Sequence, residues 1–116
     1  MTLPTMATAL RFHRRRSGLT QREVANIICL VNEHQVSRHE RATGQPSFLS
    51  AVAYEILFRA PLSQLFPGVY ETVAINIEAQ LASMQQKLEG SPAKGREAGL
   101  IAHKLEWILE RREADT

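Results

Sequence analysis

Apolar residues return along this chain at steps of three and four, the period of helices that bury one side. Between Gly18 and Glu40 the pattern predicts two short helices joined by a turn. Thr20 is placed to cap the first, with Glu23 three residues on to reach back to the cap backbone; Asn32 stands in the same relation to Gln35. Val24, Ala25 and Ile28 share one side of the first helix. In the second only Val36 is strongly apolar, so that helix has one buried contact line and a broad polar face.

Upstream, Met6, Leu10 and His13 at helical spacing predict a helix over residues 6–17, with His13 as a half-buried packing residue. Downstream, Ala42-Thr43-Gly44-Gln45-Pro46-Ser47 is a loop, with Gly44 for an awkward backbone angle, Pro46 to stop the preceding helix and Ser47 to cap the next. Phe48, Ala51, Val52, Ile56 and Leu57 form the apolar stripe of a further helix ending near Arg59, before Pro61. Tyr54 and Phe58 complete that core or face a partner. Leu62 to Phe66 closes the base.

Pro67-Gly68 marks the internal boundary, dividing residues 1–66 from 67–116. Val69, Val73, Ile77, Leu81, Met84 and Leu88 follow at steps of four, four, four, three and four, one long amphipathic helix ended by Gly90-Ser91-Pro92. A second, from about Lys94, carries Leu100, Ile101, Leu105, Ile108 and Leu109, with Trp107 beside them. These stripes either fold back on the first domain or pair with the same stripe of another copy. The second is favoured, because two long apolar stripes outrun what a small five-helix domain needs to cover it. The expected class is all-α: a five-helix domain followed by a C-terminal pair of amphipathic helices.

A chain of 116 residues, 44% hydrophobic and 22% charged, buries one modest core. Charge sharpens the picture. Residues 1–66 hold eight Lys and Arg against four acids, and residues 67–116 hold six against eight, so the basic half suits a polyanion. Cys29 is the only cysteine, which excludes an intrachain disulfide and favours a small-apolar role in a reducing cytoplasm. Met1 to Ala9 lacks the apolar core of a secretion signal, and no run of about 18 apolar residues is present to span a membrane.

Several positions form an ordered set: Leu10-Arg11 and Arg14; Gly18-Leu19-Thr20-Gln21; Val36-Ser37-Arg38 and Glu40-Arg41; Pro46-Ser47; and Leu62, Leu65 and Phe66. Together they resemble the helix-turn-helix of the XRE, or Cro and phage-repressor, family of DNA-binding proteins, over Leu10 to Phe66 or about half of the chain. The resemblance implies a repressor-like fold whose third helix enters the major groove and reads base edges. One departure stands out. Where that pattern has a glycine and one apolar residue, this chain has Cys29-Leu30-Val31, so the left-handed corner falls on a residue with a side chain and the turn is expected to be remodelled.

Carried over by position, the base contacts implied are Glu33, His34, Ser37 and Arg38, with Gln35 near the rim. Arg38 suits guanine O6 and N7, Glu33 suits cytosine N4, and His34 suits a purine N7. Gln21 matches a glutamine that bonds a phosphate and braces the reading helix. Arg15, Arg16, Gln35, Arg41 and Gln45 are further backbone contacts, and Arg14 with Glu40 is a structural ion pair.

The function implied is a sequence-specific transcriptional regulator, a repressor acting as a homodimer on double-stranded DNA. The alternative is an antitoxin or adaptor whose C-terminal helices grip a different protein, such as a toxin. Enzyme chemistry is disfavoured: no glycine-rich phosphate loop, paired-cysteine or His-x-x-x-His spacing, or nucleophile elbow is present, and no metal or cofactor is expected. His34 and His39, five apart, occupy different helix faces.

Overall fold

The computed structural model describes residues 8–114, which form seven helices and no strand. The expected Met6 contact lies outside the described residues. In order the helices are α1 (Leu10–Ser17), α2 (Gln21–Ile27), α3 (Glu33–Glu40), α4 (Phe48–Phe58), α5 (Leu62–Leu65), α6 (Pro67–Glu89) and α7 (Arg96–Ala114). Local chemistry sets several of their ends. Thr20 Oγ1 accepts the Glu23 N–H at 3.1 Å while Glu23 Oε1 accepts the Thr20 N–H at 2.9 Å, a closed capping box. Those two bonds also hold the Glu23 carboxyl below the usual range, the backbone bond most of all. Ser47 Oγ accepts the Ser50 N–H and opens α4.

Helix α1 begins at Leu10, four residues after the predicted start near Met6. The Ala9 N–H donates to the Leu65 carbonyl at 2.9 Å and Thr8 Oγ1 to the Glu40 carbonyl at 3.1 Å, while the Ala9 carbonyl opens α1 by accepting the His13 N–H.

The ends of α1, α2 and α3 share one solution. A residue with positive φ follows each helix, and the next N–H folds back on a carbonyl five residues earlier: Leu19 on Arg14, Leu30 on Ala25, Thr43 on Arg38. Only the first of these corners is a glycine, Gly18 at φ 79. Cys29 takes the second at φ 63 and Ala42 the third at φ 59. The turn after α2 thus keeps the left-handed corner without glycine and lets the additional residue, Val31, out into solvent. The awkward angle assigned to Gly44 falls on Ala42 instead, and Cys29 is exposed rather than packed.

The chain divides into two compact units, one ending at Val73 and the other beginning at Ala74, so the division lies inside α6 rather than at Pro67. Leu10, Val24, Ala25, Val36, Tyr54, Ala60, Leu65 and Phe66 form the core of the first unit, with Leu19, Ile28, Leu57 and Phe58 packed around it. Buried Gly68 and half-buried Val69, the latter packed on that core, explain why the start of α6 belongs to this unit. His13 is half-buried, its ring edge-on to Phe12 at 5.3 Å and tilted against Phe58 at 6.1 Å.

The stripe predicted for α4 is overturned in part. Phe48 is 80% exposed and Ile56 70%, whereas Tyr54 is fully buried and Ser50 nearly so. Helix α4 is apolar on most of its circumference, so spacing alone does not select the inward side. Tyr54 wins that place by filling the centre of the core, stacked on Phe58 and edge-on to Phe66.

In the second unit Ile108 is buried and Leu81, Leu88, Ile101 and Leu105 are half-buried. Arg111 Nη2 meets Glu78 Oε1 at 2.7 Å, tying α7 to α6 and holding the Glu78 carboxyl below its usual range. Ile77, Met84, Leu100, Trp107 and Leu109 stay exposed. No helix among the described residues is long and apolar enough to cross a membrane.

Candidate functional site

Helix α3 is fixed along one side and open along the other. Its entry is built by Asn32, whose Oδ1 accepts the His34 N–H at 3.0 Å. The second capping box expected from Asn32 and Gln35 does not form. Gln35 Oε1 accepts instead from the Val31 N–H at 3.0 Å, the donor one residue ahead of the cap. Gln35, read as a backbone contact at the rim, is half-buried and braces the turn.

The inner side of α3 carries Val36, His39 and Glu40, all buried. Glu40 draws three elements together. Arg14 Nε donates to its Oε2 at 2.6 Å and Arg14 Nη2 to its Oε1 at 3.2 Å, while Gln21 Nε2 donates to the same Oε1 at 3.1 Å. Arg14 Nη1 also donates to the Leu19 carbonyl at 3.1 Å, so the guanidinium ties α1 to the chain entering α2. The predicted Arg14 to Glu40 ion pair is present, and Gln21 braces α3 through Glu40.

His39 fills the remaining inward position, and sequence reasoning missed its role. Its Nδ1 shares a hydrogen bond with Tyr54 Oη at 2.8 Å, with the two rings edge-on at 5.7 Å. Burial, and secondarily the charge of Arg38, push the His39 pKa down. Burial, and secondarily Glu40, push that of Tyr54 above its ordinary range. Both groups are therefore neutral near pH 7. The available signal was spacing: His39 lies three residues after Val36, on the same contact line.

On the open side the structure brings together Glu33, His34, Ser37 and Arg38. His34 and Arg38 are exposed, and Glu33 and Ser37 half-exposed. Glu33 Oε1 lies 3.7 Å from Arg22 Nη2 on α2, a solvated pair that contributes little to stability but compensates the carboxylate's charge. Arg22 is a second residue the sequence reading passed over. Glu33 and His34, with Arg22, Ala25, Asn26, Val31 and Asn32, line a shallow hollow of about 220 Å³.

Of the outer candidates, Gln45 lines a hollow with Pro46, Leu62 and Val69, and Arg16 one with His13 and Phe58, neither of them shared with α3. Arg41 and Gln45 are exposed after α3, and the Arg41 Nε lies 3.4 Å from the Ser37 carbonyl. Arg15 and Arg16 are exposed in the last turn of α1, where positive charge also complements the carbonyl end of the helix. Among the described residues no group of three His, Cys, Asp or Glu side chains is arranged to hold a metal. The outward side of α3 thus offers a carboxylate, an imidazole, a hydroxyl and a guanidinium in fixed register, a set of donors and acceptors suited to reading the edge of a ligand. Comparison with protein-family models, curated proteins and solved structures finds no match to this chain.

Proposed function

We propose that this chain is a sequence-specific DNA-binding transcriptional regulator, a repressor of the XRE helix-turn-helix type, that inserts residues 33–41 into the major groove. One observation carries the reading: α3 is anchored by Val36, His39 and Glu40 while His34 and Arg38 project into solvent beside Glu33 and Ser37. A helix held this way loses little further freedom on binding. In the proposed complex Arg15, Arg16, Arg41 and Gln45 contact phosphates and set position, and Glu33, His34, Ser37 and Arg38 read base edges. Gln21 reaches a phosphate only with the part of its amide that Glu40 leaves unused. The role is recognition rather than turnover, in a cytoplasm where the duplex is accessible.

The regulator acts as a homodimer. Exposed Ile77, Met84, Leu100, Trp107 and Leu109 in the second unit supply an apolar surface for a second copy, which doubles the base contacts on a two-fold site. The same exposed residues support the second reading, an antitoxin or adaptor that grips another protein.

Selection of bound fragments from a random duplex pool at stated salt, followed by titration, tests the primary reading. Binding to the selected sequence at least a thousandfold tighter than to scrambled duplex supports it; indifference to every duplex at low ionic strength overturns it. Mass measurement of the protein purified from its native host separates a clean homodimer from a stoichiometric foreign partner.

A further inference from the structure

The residue that lengthens the turn before α3 is an exposed, positioned valine. Val31 is 88% exposed, more than any other large apolar side chain among the described residues. A lone surface valine is ordinary. Two features separate this one from the rest. Its backbone N–H is held by Gln35 Oε1 at 3.0 Å, and the next residue, Asn32, is tied to the His34 N–H, so the side chain stands on a fixed base. It also lines one shallow hollow with Glu33 and His34 and another with Cys29 and Leu49, which puts it at the edge of the surface that presents the polar readers.

Building on the DNA reading above, we propose that Val31 is a further specificity residue, contacting the C5-methyl group of a pyrimidine in the major groove. The chemistry selects that group. Valine has no hydrogen-bonding atom, and the methyl of thymine is the one apolar feature on the major-groove edge of the four bases. A 5-methylcytosine presents the same methyl at the same ring position, next to the N4 amine that a carboxylate such as Glu33 accepts. Arg22, 3.7 Å from Glu33, offsets the acid's repulsion from phosphates and lets it stand beside the valine. Polar readers alone respond to donors and acceptors; Val31 adds a response to one methyl group.

The test uses the full chain and its selected duplex. Each thymine is replaced in turn by deoxyuridine, and in a separate series each cytosine by 5-methylcytosine, with wild type and Val31→Ala titrated in parallel. Removing a contacted methyl is expected to weaken wild type about fourfold at one position per half-site, the worth of one methyl taken out of water. In the cytosine series the same contact appears as a gain of about fourfold on methylation. The thymine arm and the cytosine arm thereby separate the two sources of the methyl. In Val31→Ala that response vanishes while responses elsewhere persist. Because Val31 is exposed, the variant is expected to retain the wild-type helix signal in circular dichroism, measured alongside. A wild type blind to every methyl, or a variant that keeps the wild-type response at every position, overturns the role of Val31 while leaving DNA binding intact. Failure to select any duplex removes the DNA reading, and this inference with it.

Discussion

Arg14 and Glu40, 26 residues apart, meet in a fork in which Nε and Nη2 of the guanidinium each face one carboxylate oxygen, with side-chain exposures of only 13% and 3%. Such a pair holds α1 and α3 in register, with Gln21 adding α2, because each charge has been removed from water and depends on the other. Its worth lies in what happens when it is broken rather than in its presence. Replacing both partners with well-packed apolar groups is often close to neutral, whereas removing one leaves a buried charge alone.

Glu40→Ala is therefore expected to destabilise the first unit by about 3 kcal/mol, leaving Arg14 and the Gln21 amide without their acceptor. Arg14→Met combined with Glu40→Leu should lose markedly less than the single change. Urea denaturation followed by circular dichroism reads both; a single variant as stable as wild type would contradict the assigned role.

His39 makes stability depend on pH with a defined sign. Its folded pKa lies below the ordinary value of about 6.5, so the unfolded chain takes up a proton first as pH falls. The contribution is fully present above about pH 6.5 and is lost as pH drops from there through the depressed folded value. Denaturation midpoints measured from pH 7.5 down to pH 5 should decline in wild type and decline less in His39→Asn, a side chain that does not titrate. An identical slope in the two proteins would remove His39 as the cause.

Cys29 occupies a left-handed corner at φ 63 with a Cβ that the conformation disfavours. Cys29→Gly is expected to stabilise by about 1 kcal/mol, since the exposed thiol gives up little packing. Ala42→Gly, at φ 59, should act in the same direction. A thermal shift of either variant downward would mean that the side chain is needed where it stands.

Arg38 and Arg15 are expected to fail differently. Arg38→Ala should relax base preference at one position by about 1 to 3 kcal/mol. Arg15→Ala should weaken all sequences alike and reduce the salt slope of the binding constant by about one. Titrations of selected and scrambled duplex at several salt concentrations distinguish them, and equal, sequence-blind losses for both would count against these assignments.

What the sequence made legible was mostly local. Thr20 and Glu23 close their box because the partners lie three residues apart in one turn. Asn32 and Gln35 have the same spacing, yet Gln35 turns to the N–H of Val31, one residue ahead of the cap, a choice invisible to a pattern of letters. The face of α4 was misjudged because its apolar residues surround the helix, and only the shape of the core decides that Tyr54 enters while Phe48 stays outside. The Arg14 to Glu40 pair was accessible through resemblance alone, since nothing local links residues 26 apart. Arg22 beside Glu33 belongs to that non-local class, whereas the inward turn of His39 was readable from its step after Val36.

The anchoring of α3 separates two properties that compete in many small proteins. Val36, His39 and Glu40 bear the mechanical work, and none of them overlaps with His34, Ser37 or Arg38 on the outside. The outward letters can drift, one exchange at a time, while the scaffold beneath keeps its strength. On the DNA-binding proposal, a lineage descended from this chain is free to acquire new targets by rewriting a few solvent-facing positions, with no compensating repair inside.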